Sequence, residues 1–244
     1  MNFRNFHTCA KLLYQKPKNL KNKKHSSQQW IVRQLKDPYV EKAKQENYRC
    51  RSAFKLLEIQ EKYQLIIPGH TVIDCGAAPG SWTQVAVRCS NSTGVDLDVR
   101  VGTVIAIDKQ SFHPIPGAII LNNADFTKKL SQERLKGALN DKLADVILSD
   151  MAPNSTGIKD MDHENIIKIG YEAFKFALYN SAYDASLVIK FFDGPLANNF
   201  ENDIKKFYKI VKIVKPDATR DESFEKYFVA RGFKGLSARS KITD

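Results

Sequence analysis

Asp74, Asp108, Asp125 and Asp150 each close or directly follow a short apolar run rich in β-branched residues. If those runs are parallel strands of one sheet, their carboxyl ends share an edge, and the four carboxylates converge on one crevice. A lone Asp after a strand is more often a turn former or a helix cap. Four at successive strand ends point instead to a ligand. Asp108 is placed to accept hydrogen bonds from ribose hydroxyls, and Asp125, or the backbone beside it at Phe126, suits the exocyclic amine of an adenine. Asp74 and Asp150 suit an ammonium and a sulfonium.

The stretch Val72-Ile-Asp-Cys-Gly-Ala-Ala-Pro-Gly-Ser-Trp82 narrows the ligand further. Two β-branched residues lead into Asp74, small residues and a Pro-Gly pair bend the chain, and the apolar residues after Trp82 read as a helix. A strand, a tight loop and a helix bring backbone N–H groups and a helix N-terminus to the carboxyl end of a strand. Neither G-x-G-x-x-G nor G-x-x-x-x-G-K-[ST] occurs, so neither a dinucleotide fingerprint nor a phosphate-binding P-loop is indicated. An acid entering the turn repels a phosphate but suits a cationic amino-acid moiety. S-adenosyl-L-methionine is the best match, with Gly76, Ala77, Pro79, Gly80, Ser81 and Trp82 as its expected loop.

The elements that must position these groups follow from periodicity. Tyr48 to Tyr63 reads as a helix, then strands follow over 71–75, 103–107, 118–121 and 144–148, with a helix over 130–139. A helix over 164–182 leads to a strand over 186–191, a helix near 196–207 to a strand over 209–214, and a last strand over 226–230 ends the sheet. Strands alternating with helices predict an α/β, Rossmann-like doubly wound sheet, mostly parallel and seven-stranded. The final two strands have only a loop between them, so the last strand is expected to run antiparallel.

Four motifs carry a family resemblance: Tyr48-Arg-Cys-Arg-Ser-Ala-Phe-Lys-Leu56, the Asp74–Ala86 loop, Leu148-Ser-Asp-Met-Ala-Pro-Asn154 and Val214-Lys-Pro-Asp-Ala-Thr-Arg220. In this order and spacing they resemble the FtsJ-like RNA 2′-O-ribose methyltransferases, over about Gln28 to Phe233. The resemblance implies the S-adenosyl-L-methionine-dependent methyltransferase fold. It also implies a catalytic Lys-Asp-Lys-Glu set at Lys55, Asp150, Lys190 and Glu225, where Glu222 is the neighbouring rival and the Glu-x-Tyr-x-Val spacing favours Glu225. Lys190 then accepts or orients the 2′-hydroxyl proton, while Lys55 and Glu225 position the ribose. The apolar run around Lys190 is unlike the setting of a surface cation. The branch resembled acts in mitochondria, in the matrix, on a uridine of large-subunit rRNA or of the assembling large ribosomal subunit. A tRNA or cap ribose methyltransferase and an RNA-binding assembly factor stand as alternatives. Arg49, Arg51 and Arg220 are candidate phosphate contacts. No metal-ligand spacing is visible.

The charge distribution tempers any inference from the formal net charge of +11. Residues 1–36 hold nine Lys or Arg and no acid, which leaves 29 basic and 27 acidic residues for the rest of the chain. Basic residues spaced among Phe3, Phe6, Leu12, Leu13 and Tyr14 read as a mitochondrial targeting segment over 1–27, with the methyltransferase domain over 28–244. A basic arm that touches RNA is the competing reading. No apolar run approaches the ~20 residues of a membrane span. The cysteines show neither zinc-ligand nor disulfide spacing, and Cys75 reads as a buried filler beside the loop.

Overall fold

A computed structural model describes residues 34–236, together with Gln28 and Ile31. The expected targeting segment over 1–27 lies outside the described residues. Helix α1 spans Pro38–Gln45 and α2 Ala53–Tyr63, followed by β1 (Thr71–Cys75), α3 (Ser81–Ser90), β2 (Thr103–Ile107) and β3 (Ala118–Leu121). Then come α4 (Lys129–Leu139), β4 (Ala144–Ser149), α5 (Lys159–Asn180), β5 (Ser181–Phe192), α6 (Ala197–Phe207), β6 (Tyr208–Val214) and β7 (Glu225–Phe233). The seven strands form one sheet in the order β3-β2-β1-β4-β5-β7-β6. Only β7 is antiparallel to its neighbours, inserted between β5 and β6. The order reverses between β1 and β4, the kind of switch point at which open α/β sheets bind ligands.

Because side chains alternate across a strand, parity divides the molecule into two layers. Val72, Val104, Ala106, Val146, Leu148 and Val188 face α2 and α3, where they meet Phe54, Leu56, Ile59, Trp82 and Val85. Ile73, Ile105, Ile107, Ile147, Leu187 and Ile189 face the opposite layer, built from α4, α5 and α6. Asp74, Asp108, Asp150 and Lys190 share the parity of the first set. The register aligns Asp74 with Ala106 on one side and Leu148 on the other, and Leu148 with Val188. Asp74 therefore sits one pleat below the level of Asp150 and Lys190, which explains why it is fully buried.

Two of the differences from the sequence reading have a clear local cause. The first long helix begins at Ala53, not Tyr48, because Arg49 to Ser52 form tight turns whose side chains bind other loops. Strand β5 starts at Ser181, directly after α5, and its pairing with β4 shifts register between Ser181 and Ser186. That irregular start includes exposed Tyr183 and Asp184, with Asp184 at φ 69°. A polar, bulged opening carries no alternating pattern for a sequence reading to detect.

Candidate active site

A cavity of about 430 Å³ lies at the carboxyl ends of β1, β2 and β4. Gly76, Asp108, Asp125, Phe126 and Asp150 line it, as do Ala78, Lys109, Gln110, Thr127, the 151–154 segment and Ile169 of α5. Gly76 adopts φ 77°, and a Cβ there would meet Met151 Cγ at 2.4 Å, so the two strand ends approach this closely only with glycine.

The loop makes different contacts from those its sequence suggests. The Gly76 and Ala77 N–H groups donate to the Ile107 carbonyl, and the Ala78 N–H donates to Asp108 Oδ2 at 2.9 Å. These donors fasten β1 to β2 and are not left to face a ligand. Pro79, Gly80, Ser81 and Trp82 do not line the cavity. Ser81 Oγ contacts Ser52 Oγ and Cys50 Sγ, and Trp82 Nε1 donates to the Ser52 carbonyl at 2.8 Å. Together they join the loop to the turn before α2.

Asp74 lies beneath the cavity floor. Its Oδ2 accepts from Thr83 Oγ1 at 2.6 Å, while its Oδ1 is buried with no hydrogen-bond partner. Burial pushes the carboxyl up to about 7, with the neighbouring Asp150 and Asp108 carboxylates adding to the rise. Asp108 Oδ1 accepts from the Gln110 N–H at 2.6 Å, and Asp125 Oδ1 is held by the Thr127 N–H and hydroxyl. Both carboxylates are thus fixed in orientation at the cavity rim. Cys75 is fully buried, and burial raises its thiol well above the ordinary range.

Asp150 belongs to the cavity and also to a row of polar groups running away from it. Lys190 Nζ lies 3.0 Å from Asp150 Oδ1 and donates to the Asp150 carbonyl. Tyr227 Oη stands 2.8 Å from Asp150 Oδ1 and 2.9 Å from Glu225 Oε1, and Lys55 Nζ closes the row on Glu225. The register explains the assembly. Lys190 is directly opposite Tyr227 and Phe192 opposite Glu225, so alternate residues of two antiparallel strands share one face. Lys55, from the first turn of α2, comes down onto that face. Burial pushes the Asp150 carboxyl up, but the Lys190 and Lys55 ammoniums more than offset it and hold it below its ordinary value. Tyr227 is pushed well above its ordinary value by burial and by the two carboxylates, so it stays a hydroxyl donor.

All four residues of the expected Lys-Asp-Lys-Glu set therefore meet in one row. Tyr227, which joins its two halves, is the member that sequence reasoning missed. Its signal was the two-residue spacing from Glu225, which puts both on one face of a strand. The expected phosphate contacts are held otherwise. Arg49 donates to the carbonyls of Pro79, His113 and Pro114 at 2.7–2.8 Å. Arg51 and Arg220 converge on Asp37 at 3.0 and 3.3 Å, and Arg51 also reaches the Ala218 carbonyl.

Known proteins share this arrangement of sequence and fold. A model of an FtsJ-like methyltransferase family matches residues 48–233. The Drosophila melanogaster protein named rRNA methyltransferase 2, mitochondrial, is 52% identical over 228 residues, which cover 93% of this chain and 91% of that one. Ribosomal RNA large subunit methyltransferase E of Ruegeria pomeroyi is 43% identical over 220 residues, covering 90% and 94%. The crystal structure of a Plasmodium falciparum protein described as a ribosomal RNA methyltransferase superposes with a TM-score of 0.68 at 28% identity, covering 77% of this chain and 100% of that one.

Proposed function

The chain belongs to the FtsJ-like methyltransferase family, and from that premise we propose that it methylates a ribose 2′-hydroxyl, at a uridine of mitochondrial large-subunit rRNA. The observation that carries this reading is the row Lys190–Asp150–Tyr227–Glu225–Lys55, because one of its members, Asp150, also lines the cavity. A methyl donor in the cavity and a hydroxyl in front of the row would meet at Asp150. The similarity to the Drosophila mitochondrial protein supports the compartment, taken to be the matrix, and the similarity to the Ruegeria large-subunit enzyme supports the large-subunit substrate.

The residues fit S-adenosyl-L-methionine, which when bound supplies a methyl on a sulfonium. Asp108 has acceptor capacity for the donor's ribose diol, and the pocket beside Asp125 and Phe126 suits its adenine. The Asp150 carboxylate gives one wall a demand for positive charge. The reaction is an in-line displacement, so the target oxygen must be held behind the methyl and its proton removed or shared. Lys190 would orient the 2′-hydroxyl and take its proton on Nζ as the ribose oxygen takes the methyl. Asp150, 3.0 Å away, holds the ammonium that results. Glu225 and Lys55 bracket the other end of the row, where the ribose hydroxyls are positioned.

The test is transfer of a labelled methyl group from S-adenosyl-L-methionine to unmethylated large-subunit rRNA, naked and in immature subunits. A single 2′-O-methyluridine is expected with the wild-type chain, and its rate should fall at least a hundredfold in Lys190→Ala with donor affinity retained. Full rate in that variant, or methylation at a base atom, overturns the reading.

A further inference from the structure

A second cleft, about 320 Å³, opens at the carboxyl end of β5, on the same edge of the sheet as the donor cavity. Phe192 and Phe224 form its aromatic walls, and Asp193, Glu222, Lys159 and His163 are among the residues around them. We propose that this cleft binds the unstacked base of the RNA nucleotide whose ribose is methylated. The proposal rests on the function given above and names where its substrate's base goes.

Position is the first argument. Phe192 pairs directly with Glu225, and Phe224 precedes Glu225 in the chain. Phe192 thus borders the end of the catalytic row, two residues, about 6–7 Å, beyond Lys190 along its strand, and Phe224 lines the same cleft. A ribose held at Lys190 and Glu225 has its base within reach of this cleft.

The chemistry of the walls is the second argument. Phe224 is 56% exposed, so its ring is open to a ligand in the cleft. The Lys159 ammonium lies 4.4 Å from its centroid, so the ring already presents a face to a polar partner. Stacking on aromatic side chains is how proteins hold splayed-out RNA bases. Glu222, and Asp193 with the oxygen that Lys226 leaves free, can accept from the N–H groups of a neutral base.

The cleft is also rigidly built. His163 is buried and ties the 192–196 turn to α5: Nδ1 donates to the Phe192 carbonyl at 3.1 Å and Nε2 accepts from the Leu196 N–H at 3.0 Å. Gly194 packs against that imidazole, where a Cβ would come within 2.7 Å of the ring. The Asp193 N–H donates to the Phe224 carbonyl at 3.0 Å, which joins the two walls. Cleft and catalytic row are therefore held at a fixed separation.

Kinetics and crosslinking with the full chain test the proposal. Phe224→Ala should raise the KM for large-subunit rRNA about tenfold or more, the scale of one lost base–aromatic stack, with donor affinity unchanged. Phe224→Trp should stay near wild type. In parallel, transcripts carrying 4-thiouridine should crosslink to the 222–224 segment of wild type and lose that crosslink in Phe224→Ala. An unchanged RNA KM in Phe224→Ala, or wild-type crosslinks that map elsewhere, overturns the base site while active wild type leaves the methyltransferase reading intact. Crosslinking at Phe224 without methyl transfer by wild type overturns that reading and, with it, the assignment of the cleft to a methylated nucleotide, leaving a site for an unstacked uridine.

Discussion

Tyr227 Oη has one proton and two carboxylate oxygens within 2.9 Å, so it can satisfy only one at a time. That makes it a positioning residue: it couples Asp150, which faces Lys190, to Glu225, which faces Lys55. Tyr227→Phe preserves the fully buried ring and its contact with Trp82 but removes the bridge. Losing one hydrogen bond to a charged group is worth about 1.5–3 kcal/mol, so kcat should fall roughly ten- to a hundredfold while donor affinity holds. Single-turnover rates beside donor titrations check it, and an equal fall in both would mean a merely structural role. Asp74 offers a second test. Its folded value of about 7 exceeds the ordinary 3.8, so the stability it contributes is fully present below about 3.8 and is lost as pH rises towards about 7. Asp74→Asn should consequently stabilise the free protein at pH 8, by up to about 4 kcal/mol, with the gain shrinking as pH falls towards 4. Thermal melts across that range decide it; a pH-independent difference would mean that Asp74 is not held as a raised acid. The strand-end acids were legible because each follows a β-branched run with clear parity. Tyr227 was not, since an aromatic inside an apolar strand reads as core until the β5–β7 register is known.

At the level of elements, the turn before α2 fastens the loop after β1 to the loop after β2. Arg49 makes three bonds to carbonyls on two segments far from it in sequence, and its N–H donates to Gln84 Oε1 on α3. A cation holding three carbonyls in this way is not available to a phosphate. Arg49→Ala should therefore destabilise the domain by about 1–3 kcal/mol and weaken donor binding. The salt dependence of RNA affinity should be nearly unchanged. A flatter salt slope with unaltered stability would return Arg49 to the phosphate-contact role. Sequence alone reads an arginine near a motif as solvated or phosphate-bound, because its carbonyl partners are 30 and 64–65 residues away. The same limit governs β7. Its existence and antiparallel sense follow from the short connection, whereas its place between β5 and β6 depends on a long-range pairing that no local pattern encodes. That placement is what puts Tyr227 opposite Lys190.

For the whole molecule the question is how a nearly neutral domain holds a polyanion. With nine basic and no acidic residues in 1–36, most of the excess charge precedes the first motif. Within the domain, several cations near the site are already paired: Lys190 with Asp150, Lys55 with Glu225, and Arg51 and Arg220 with Asp37. Recognition by the domain should then depend on shape and on the target nucleotide more than on general phosphate attraction. Residues 1–27 contain seven of the basic residues. A chain that begins at Gln28 should keep its melting temperature, its donor affinity and its single-turnover rate on saturating RNA. Its log affinity for non-specific RNA should depend less steeply on log salt, by up to about 5 in slope if all seven cations contact phosphate, at ~0.7 per single-strand contact. Filter binding between low and moderate salt measures that slope for both chains. A smaller difference scales down the number of contacts. If the two slopes are equal, the segment is no RNA arm, and the targeting reading, in which the working enzyme does without it, is the one that stands.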